Sequence, residues 1–146
     1  MNAFETGGDE HLIHFRDGGD IYIKTGSANG SHELAVGTQQ VKVGTGIPIH
    51  RHVTMDERFF VLEGSGIVVL DDVRHPIEKG GTVFIPRRTW HGFENPDHEL
   101  QLLWIVAPAG LDAFFRETCS PPGVAAKSLT RDQIRAIARR HDTEFR

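Results

Sequence analysis

Short apolar runs interrupted by glycine dominate the middle of the chain, from residue 33 to residue 108. These runs are rich in Val, Ile and Phe, which favour strands. We therefore predict strands over residues 39–43, 57–62, 66–70, 82–85, 90–94 and 99–107. Closely spaced strands of this kind are typical of an all-β barrel or jelly roll, and not of alternating strands and helices.

An N-terminal arm, residues 1–36, contains two more strand-like runs. They cover residues 11–15 and 21–25, and the turn sequence Asp-Gly-Gly-Asp at residues 17–20 separates them. Two short strands joined by such a turn predict a β-hairpin.

The tail, residues 109–146, changes to a helical period. Leu111, Phe114 and Phe115 recur at i, i+3 and i+4, which predicts a short helix laid against the barrel exterior. Thr130 followed by Gln133 is a capping-box pattern, so a second helix is expected to begin there. The chain is thus predicted to form one domain, with the arm, a barrel over residues 37–108, and short C-terminal helices packed on the barrel.

The composition fits a single compact domain. A net charge of −4 over 146 residues disfavours a nucleic-acid-binding protein, and the single cysteine, Cys119, excludes an intramolecular disulfide. The first residues lack the basic region and the apolar stretch of a signal peptide, and no run reaches transmembrane length. We therefore expect a cytoplasmic protein without membrane contact.

Four residues have the spacing of a metal site: His50, His52, Glu57 and His91. Side chains two positions apart on a strand point the same way, so His50 and His52 share a face with Cα atoms about 6–7 Å apart. Imidazole and carboxylate together suit a divalent Fe, Mn, Ni, Cu, Co or Zn ion. Unpaired imidazoles facing a barrel interior would each carry a desolvation cost, which favours a metal site over an accidental cluster.

The residues around these ligands resemble the two motifs of the cupin superfamily. The motif G-x5-H-x-H-x3,4-E-x6-G matches residues 44–64, and G-x5-P-x-G-x2-H-x3-N matches residues 80–95, with Arg88 in place of a glycine. The resemblance implies a double-stranded β-helix, a metal site of three histidines and one glutamate, and a homodimer in which the arm is a candidate for exchange. A φ above zero at Arg88 would cost on the order of 1 kcal/mol.

Strand alternation predicts the neighbours of the metal. If Glu57 points into the barrel, so does Phe59, and Phe93 shares the face of His91. We predict that Phe59 and Phe93 bind a small-molecule substrate, with plain barrel core as the alternative. Arg88 is a candidate for binding a substrate carboxylate at the barrel mouth, and a surface arginine without a partner is the alternative.

Four protein ligands leave one or two metal positions open to a substrate oxygen or to O₂, which favours an enzyme. The leading interpretation is a dioxygenase acting on an enol, a phenol or a diketone, with Glu57 as general base. Residues 108–117 also resemble the tail of small bacterial cupins grouped with quercetin dioxygenases. The alternatives are a non-oxidative lyase, isomerase or cyclase, and a non-catalytic binding protein. No motif identifies the metal or the substrate.

Overall fold

The part of the chain that the structure describes is mainly β-structure, arranged in two antiparallel sheets with two short α-helices and one 3-10 helix, Ser27–Asn29. The computed structural model describes residues 12–15, 19–95 and 97–146. The strands are β1 Leu12–Phe15, β2 Gly19–Thr25, β3 Ala35–Val41, β4 Thr45–His52, β5 Asp56–Glu63, β6 Ser65–Leu70, β7 Val73–Glu78, β8 Thr82–Ile85, β9 His91–Asn95, β10 Leu100–Ala107 and β11 Thr143–Phe145. The helices are α1 Leu111–Thr118 and α2 Arg131–Arg140.

The strand order is that of a double-stranded β-helix. One sheet has the order β1-β2-β3-β10-β5-β8, and the other has the order β11-β4-β9-β6-β7. From β3 to β6 the chain alternates between the sheets, and it does so again from β7 to β10. The core lies between the sheets, where the ring of Phe59 on β5 meets that of Phe93 on β9 at a centroid distance of 4.8 Å. The predicted all-β jelly roll is confirmed.

Period-two alternation positions the core side chains. Along β10, Leu100, Leu102, Trp104 and Val106 are buried while the residues between them are half-buried. On β5, Glu57 and Phe59 are buried while Arg58 is exposed, as strand alternation predicts. A buried carboxylate on an otherwise apolar face marks the place where the core gives way to a polar site.

Some strands differ from the predicted ones. The first barrel strand runs over Ala35–Val41 instead of residues 39–43, because the chain turns at Gly44, which has φ +77°. Strand β7 was not predicted, since it is exposed along most of its length and contains Pro76, which suits only an edge strand. Strand β11 was also missed, because three residues are too few to show an alternation of apolar and polar positions.

The predicted hairpin of the arm is confirmed for the residues that the structure describes. Strand β1 pairs antiparallel with β2, with Leu12 opposite Tyr22 and Phe15 opposite Gly19. His11 and the first two residues of the predicted turn, Asp17 and Gly18, lie outside the described residues. Strand β2 continues the sheet by pairing with β3, and Ile21 and Ile23 are fully buried in the core.

Both predicted tail helices are present. The capping box of α2 forms as predicted, with Thr130 Oγ1 accepting from Gln133 N and Gln133 Oε1 accepting from Thr130 N. Helix α1 is held through Asp112, whose fully buried carboxylate accepts hydrogen bonds from Ser27 N, Ser27 Oγ and Gly110 N. Among the described residues, no helix is long and apolar enough to span a membrane.

Replacing Asp112 with alanine is expected to lower the free energy of unfolding by about 2–4 kcal/mol, because the backbone N–H groups of Ser27 and Gly110 lose a charged acceptor. Urea denaturation measures the change. Asp132→Ala is the matched control: this carboxylate is exposed in the first turn of α2, so its loss should cost less than about 1 kcal/mol. Equal losses in the two variants would show that Asp112 does not anchor α1.

Candidate metal centre

The four predicted ligands come together between the two sheets. His50 and His52 lie at the end of β4, and His91 opens β9 directly opposite His50 in the antiparallel register. Glu57 reaches the same point from β5 of the other sheet. One ligand atom from each of the four residues lies within 4.8 Å of every other. Two ligands of one ion are separated by at most about 4.2 Å when each bond is about 2.1 Å, so little movement is needed.

Hydrogen bonds to backbone carbonyls orient two of the imidazoles. His50 Nδ1 lies 2.7 Å from the carbonyl oxygen of Pro48, and His91 Nδ1 lies 2.9 Å from that of Thr89. A carbonyl oxygen only accepts, so each Nδ1 carries the proton that it donates. In the neutral form of each ring the lone pair is therefore on Nε2, the atom available to a metal.

Within the ligand cluster, nitrogen and oxygen atoms face one another in a way that fits a metal ion. His91 Nε2 lies 3.2 Å from Glu57 Oε2, although a neutral His91 and an ionised Glu57 would both present lone pairs there. His52 Nε2 is buried, lies 2.9 Å from Glu57 Oε2, and makes no hydrogen bond. Such an arrangement is unfavourable unless a proton or a metal ion lies between these atoms. The donor set therefore suits one divalent transition metal.

The electrostatic environment favours the protonation states that coordinate metal. Burial, together with the neighbouring His91 and His52, lowers the pKa of His50 well below 6.5. Burial alone would raise the pKa of Glu57, but His52 and His91, when they are protonated, lower that pKa far below its usual range. At neutral pH the cluster thus offers a neutral imidazole at His50 and an ionised carboxylate, as metal binding requires.

A cavity of about 230 Å³ opens onto His50, His52 and Glu57. Its walls are mostly apolar and come from both the barrel and the tail: Ile47, Phe59, Leu111, Phe114, Phe115 and Phe145. The predicted helix face of α1 therefore does more than cover the barrel exterior, because it closes this cavity. An apolar cavity with a few polar groups at one end is the usual form of a small-molecule site.

The three predicted substrate-binding residues occupy different places. Phe59 lines the cavity, as predicted. Phe93 is buried against Phe59 and is not among the lining residues, which favours the core alternative. Arg88 is exposed on the turn before β9 and does not line the cavity either. Substrate contact by any of the three stays a prediction.

Sequence reasoning missed the contribution of the tail to the site. Thr143 and Phe145 on β11 line the cavity, and the ring of Phe145 lies 5.7 Å from that of His50. Thr143 Oγ1 lies 3.0 Å from His52 Nδ1. The motif T-E-F carries no signal of its own, and only the register of β11 against β4 reveals its position.

Arg88 adopts a left-handed backbone conformation, with φ +68°, and its N–H donates to the carbonyl of His52 at 2.7 Å. The strain predicted at this position is therefore present. Arg88→Gly is expected to raise the free energy of unfolding by up to about 1 kcal/mol and to leave the metal content unchanged. Calorimetry and metal analysis measure both quantities.

The neighbouring residue provides the control for this substitution. Arg87 is exposed, does not have a positive φ, and pairs with Asp56 at 3.5 Å. Arg87→Gly should therefore lower the free energy of unfolding by about 0.5–1 kcal/mol. A loss of stability in Arg88→Gly of the same size would contradict the strain at Arg88. A selective rise in KM for an anionic substrate would instead identify Arg88 as a substrate ligand.

Comparison with known sequences identifies the family. The sequence profile named Cupin domain matches residues 37–108, the segment that holds all four ligands. Protein SchB of Streptomyces halstedii is 34% identical over 95 residues, which are 64% of this chain and 69% of SchB. The chain belongs to the cupin superfamily. In this cupin two helices and strand β11 follow the matched segment.

Two further comparisons place this cupin among its relatives. Dimethylsulfoniopropionate lyase DddW of Ruegeria pomeroyi is 32% identical over 96 residues, 65% of this chain and 62% of DddW. An RmlC-like cupin structure from Shewanella frigidimarina has a TM-score of 0.66 at 23% identity and covers 77% of this chain and 96% of that one. The chain spans only 44% and 54% of the length of two other curated relatives. These likenesses establish the fold and the family.

Proposed function

We propose that this cupin is a metal-dependent dioxygenase that acts on a small, mostly apolar molecule bearing an enol, phenol or diketone oxygen. The observation that carries this proposal is the apolar cavity that opens directly onto the ligand cluster. A bound divalent metal would supply Lewis acidity and open positions for a substrate oxygen and for O₂.

The lining of the cavity selects the class of substrate. Among the described residues that line it, no Lys or Arg is present, and the titratable side chains are His50, His52 and Glu57. A negatively charged substrate group would therefore lose water without gaining a positively charged partner other than the metal centre. The aromatic rings of Phe59, Phe114 and Phe115 instead suit a neutral body of about the size of one or two rings.

Glu57 is the group placed to accept a proton from such a substrate. Each Nδ1 of the three histidines has a hydrogen-bond partner, so their Nε2 atoms would hold the metal and no ring would keep a free basic nitrogen. If one oxygen of Glu57 held the metal, the second oxygen would stay free, and Glu57 is among the residues that line the cavity. Deprotonation of an enol or phenol by Glu57 would make the substrate more electron-rich and prepare it for attack by O₂.

Oxygen consumption tests this proposal. Protein reconstituted anaerobically with Fe, Mn, Ni, Co, Cu or Zn is mixed with a panel of enols, phenols and diketones, and O₂ uptake is followed with product analysis. We expect uptake with at least one redox-active metal, with both oxygen atoms of ¹⁸O₂ found in the products. Product formation at the same rate without O₂ would contradict a dioxygenase.

Glu57→Gln is expected to lower kcat by at least about 100-fold, because a neutral amide cannot act as general base. The amide oxygen keeps the shape of the side chain and remains a weak ligand, so metal content measured at saturating metal should fall much less than kcat. Glu63→Gln, an exposed glutamate at the end of the same strand, is the control and should keep full activity. Activity equal to that of the unmodified protein would exclude Glu57 as the base.

A second candidate is an O₂-independent lyase. It is favoured by the 32% identity with DddW, a protein named for lyase activity. The same carboxylate, Glu57, would then remove a proton next to a metal-bound carbonyl, with no change in oxidation state. The anaerobic arm of the experiment separates the two candidates, because a lyase forms its product without O₂.

A further inference from the structure

Strand β11 brings a part of the tail onto the metal centre, although it lies outside the matched cupin segment, residues 37–108. It pairs antiparallel with β4, so that Thr143 is opposite His52 and Phe145 is opposite His50. Thr143 is 1% exposed and His52 is 2% exposed, so bulk water does not reach the contact between them.

A directional pair of hydrogen bonds links the tail to His52. Thr143 Oγ1 lies 3.1 Å from the carbonyl oxygen of His141, which only accepts, so the hydroxyl proton is donated there. The lone pairs of the same oxygen are then free to accept from His52 Nδ1, which lies 3.0 Å away. His52 Nδ1 therefore carries the proton, and the lone pair of Nε2 faces Glu57 and the other ligands.

This arrangement makes His52 different from the other two histidines. The Nδ1 atoms of His50 and His91 donate to backbone carbonyls, which remain whatever side chain the residue carries. His52 alone among the three depends on a side chain for the position of its proton. Partners of this kind orient ligating histidines, and removing them typically costs 10–100-fold in metal affinity.

We propose that Thr143 is a positioning residue of the metal centre, which holds His52 in the tautomer that binds metal through Nε2. The tail of this chain is then part of the metal site and not only a cover for the barrel.

The backbone around β11 is held closely enough for this role. Asp142 has φ +59° and turns the chain from α2 into β11, while its carbonyl accepts from Val53 N and its carboxylate accepts from Thr54 N. On the other side, Arg146 N donates to the carbonyl of Ile49. Thr143 is thus fixed against the ligand-bearing end of β4 by hydrogen bonds on both sides.

Metal affinity of two Thr143 variants, measured on the whole chain of 146 residues, tests the proposal. Thr143→Val keeps the shape but removes the hydroxyl, and Thr143→Ser keeps the hydroxyl. Affinity for Co²⁺ and Zn²⁺ is measured by competition with a chromophoric chelator, and the Co²⁺ absorption spectrum reports the ligand field. We expect Thr143→Val to bind 10–100-fold more weakly with an altered spectrum, and Thr143→Ser to bind within about threefold of the unmodified protein.

Thr118 offers a matched control for the loss of a buried hydroxyl. It is 6% exposed, and its hydroxyl donates to the carbonyl of Phe114 at 2.9 Å, without contact to a ligand. Thr118→Val is expected to change the melting temperature of the metal-free protein and to leave metal affinity unchanged. Equal loss of affinity in Thr118→Val and Thr143→Val would show a general structural effect and overturn the positioning role, as would unchanged affinity in Thr143→Val.

A measurement on the unmodified protein keeps the proposal testable if Thr143→Val does not fold. In zinc-loaded protein labelled with ¹⁵N-histidine, long-range ¹H–¹⁵N spectra show which ring nitrogen of His52 carries the proton. Protonated Nδ1 with metal-bound Nε2 is expected, and coordination through Nδ1 would overturn the proposal. Because no substrate is involved, these results are independent of the dioxygenase reaction.

Discussion

His52→Ala is expected to abolish stoichiometric metal binding. His52 is one of four ligands on a buried cluster, and its loss leaves Glu57 without one of the two imidazoles that lower its pKa. Alanine also removes the ring that lies between Thr143 and Glu57, so no other donor takes the place of the lost nitrogen. Metal analysis after dialysis should therefore show a content far below one ion per chain.

The melting temperature gives a second readout of the same substitution. An ion present at 100 times its Kd stabilises the folded state by about 2.7 kcal/mol, which corresponds to roughly 5–10 °C for a chain of this size. We expect a chelator to remove that increment from the unmodified protein and to have no effect on His52→Ala. His75→Ala, on the exposed edge strand β7, is the control. It should keep the metal content and the rise in melting temperature that the metal causes. Full metal content in His52→Ala would contradict the assigned site.

The ligands could be predicted from sequence because their arrangement is largely local. His50 and His52 share a strand face through the two-residue period, and Glu57 follows after a short turn. Only His91 needed long-range information, and the cupin motif supplied it. The structure then shows His91 directly opposite His50. The alternation that placed Phe59 inward on β5 has the same local origin.

The tail could not be predicted in the same way. The helical period at Leu111 and Phe115 gives the helix, but it does not say which surface that helix covers. The place of Thr143 depends on a pairing with β4 across about 90 residues of chain, and its three-residue strand has no pattern strong enough to reveal it. Residues that complete a site through such pairings are visible only in the folded structure.

Acidification is expected to remove the metal and its stabilisation together. The imidazoles must be neutral to coordinate, so protons compete with the ion increasingly as the pH falls below the ordinary histidine value of about 6.5. The folded pKa of His50 is lowered, so below pH 6.5 the unfolded chain binds more protons there than the folded chain. The free energy of unfolding therefore decreases as the pH falls below 6.5, and above pH 6.5 protonation of His50 takes nothing from it.

Melting temperatures recorded from pH 8 to pH 4, with saturating metal and with chelator, separate the two contributions. The gap between the curves measures the stabilisation by metal, and the slope of the chelator curve measures the protein's own titration. We expect a constant gap above about pH 7 and a gap that closes below about pH 6, in step with metal content. A difference in melting temperature that persists unchanged to pH 4 would show that histidines do not hold the ion. At that pH protons compete strongly for imidazole nitrogens, so a site of three histidines would lose affinity.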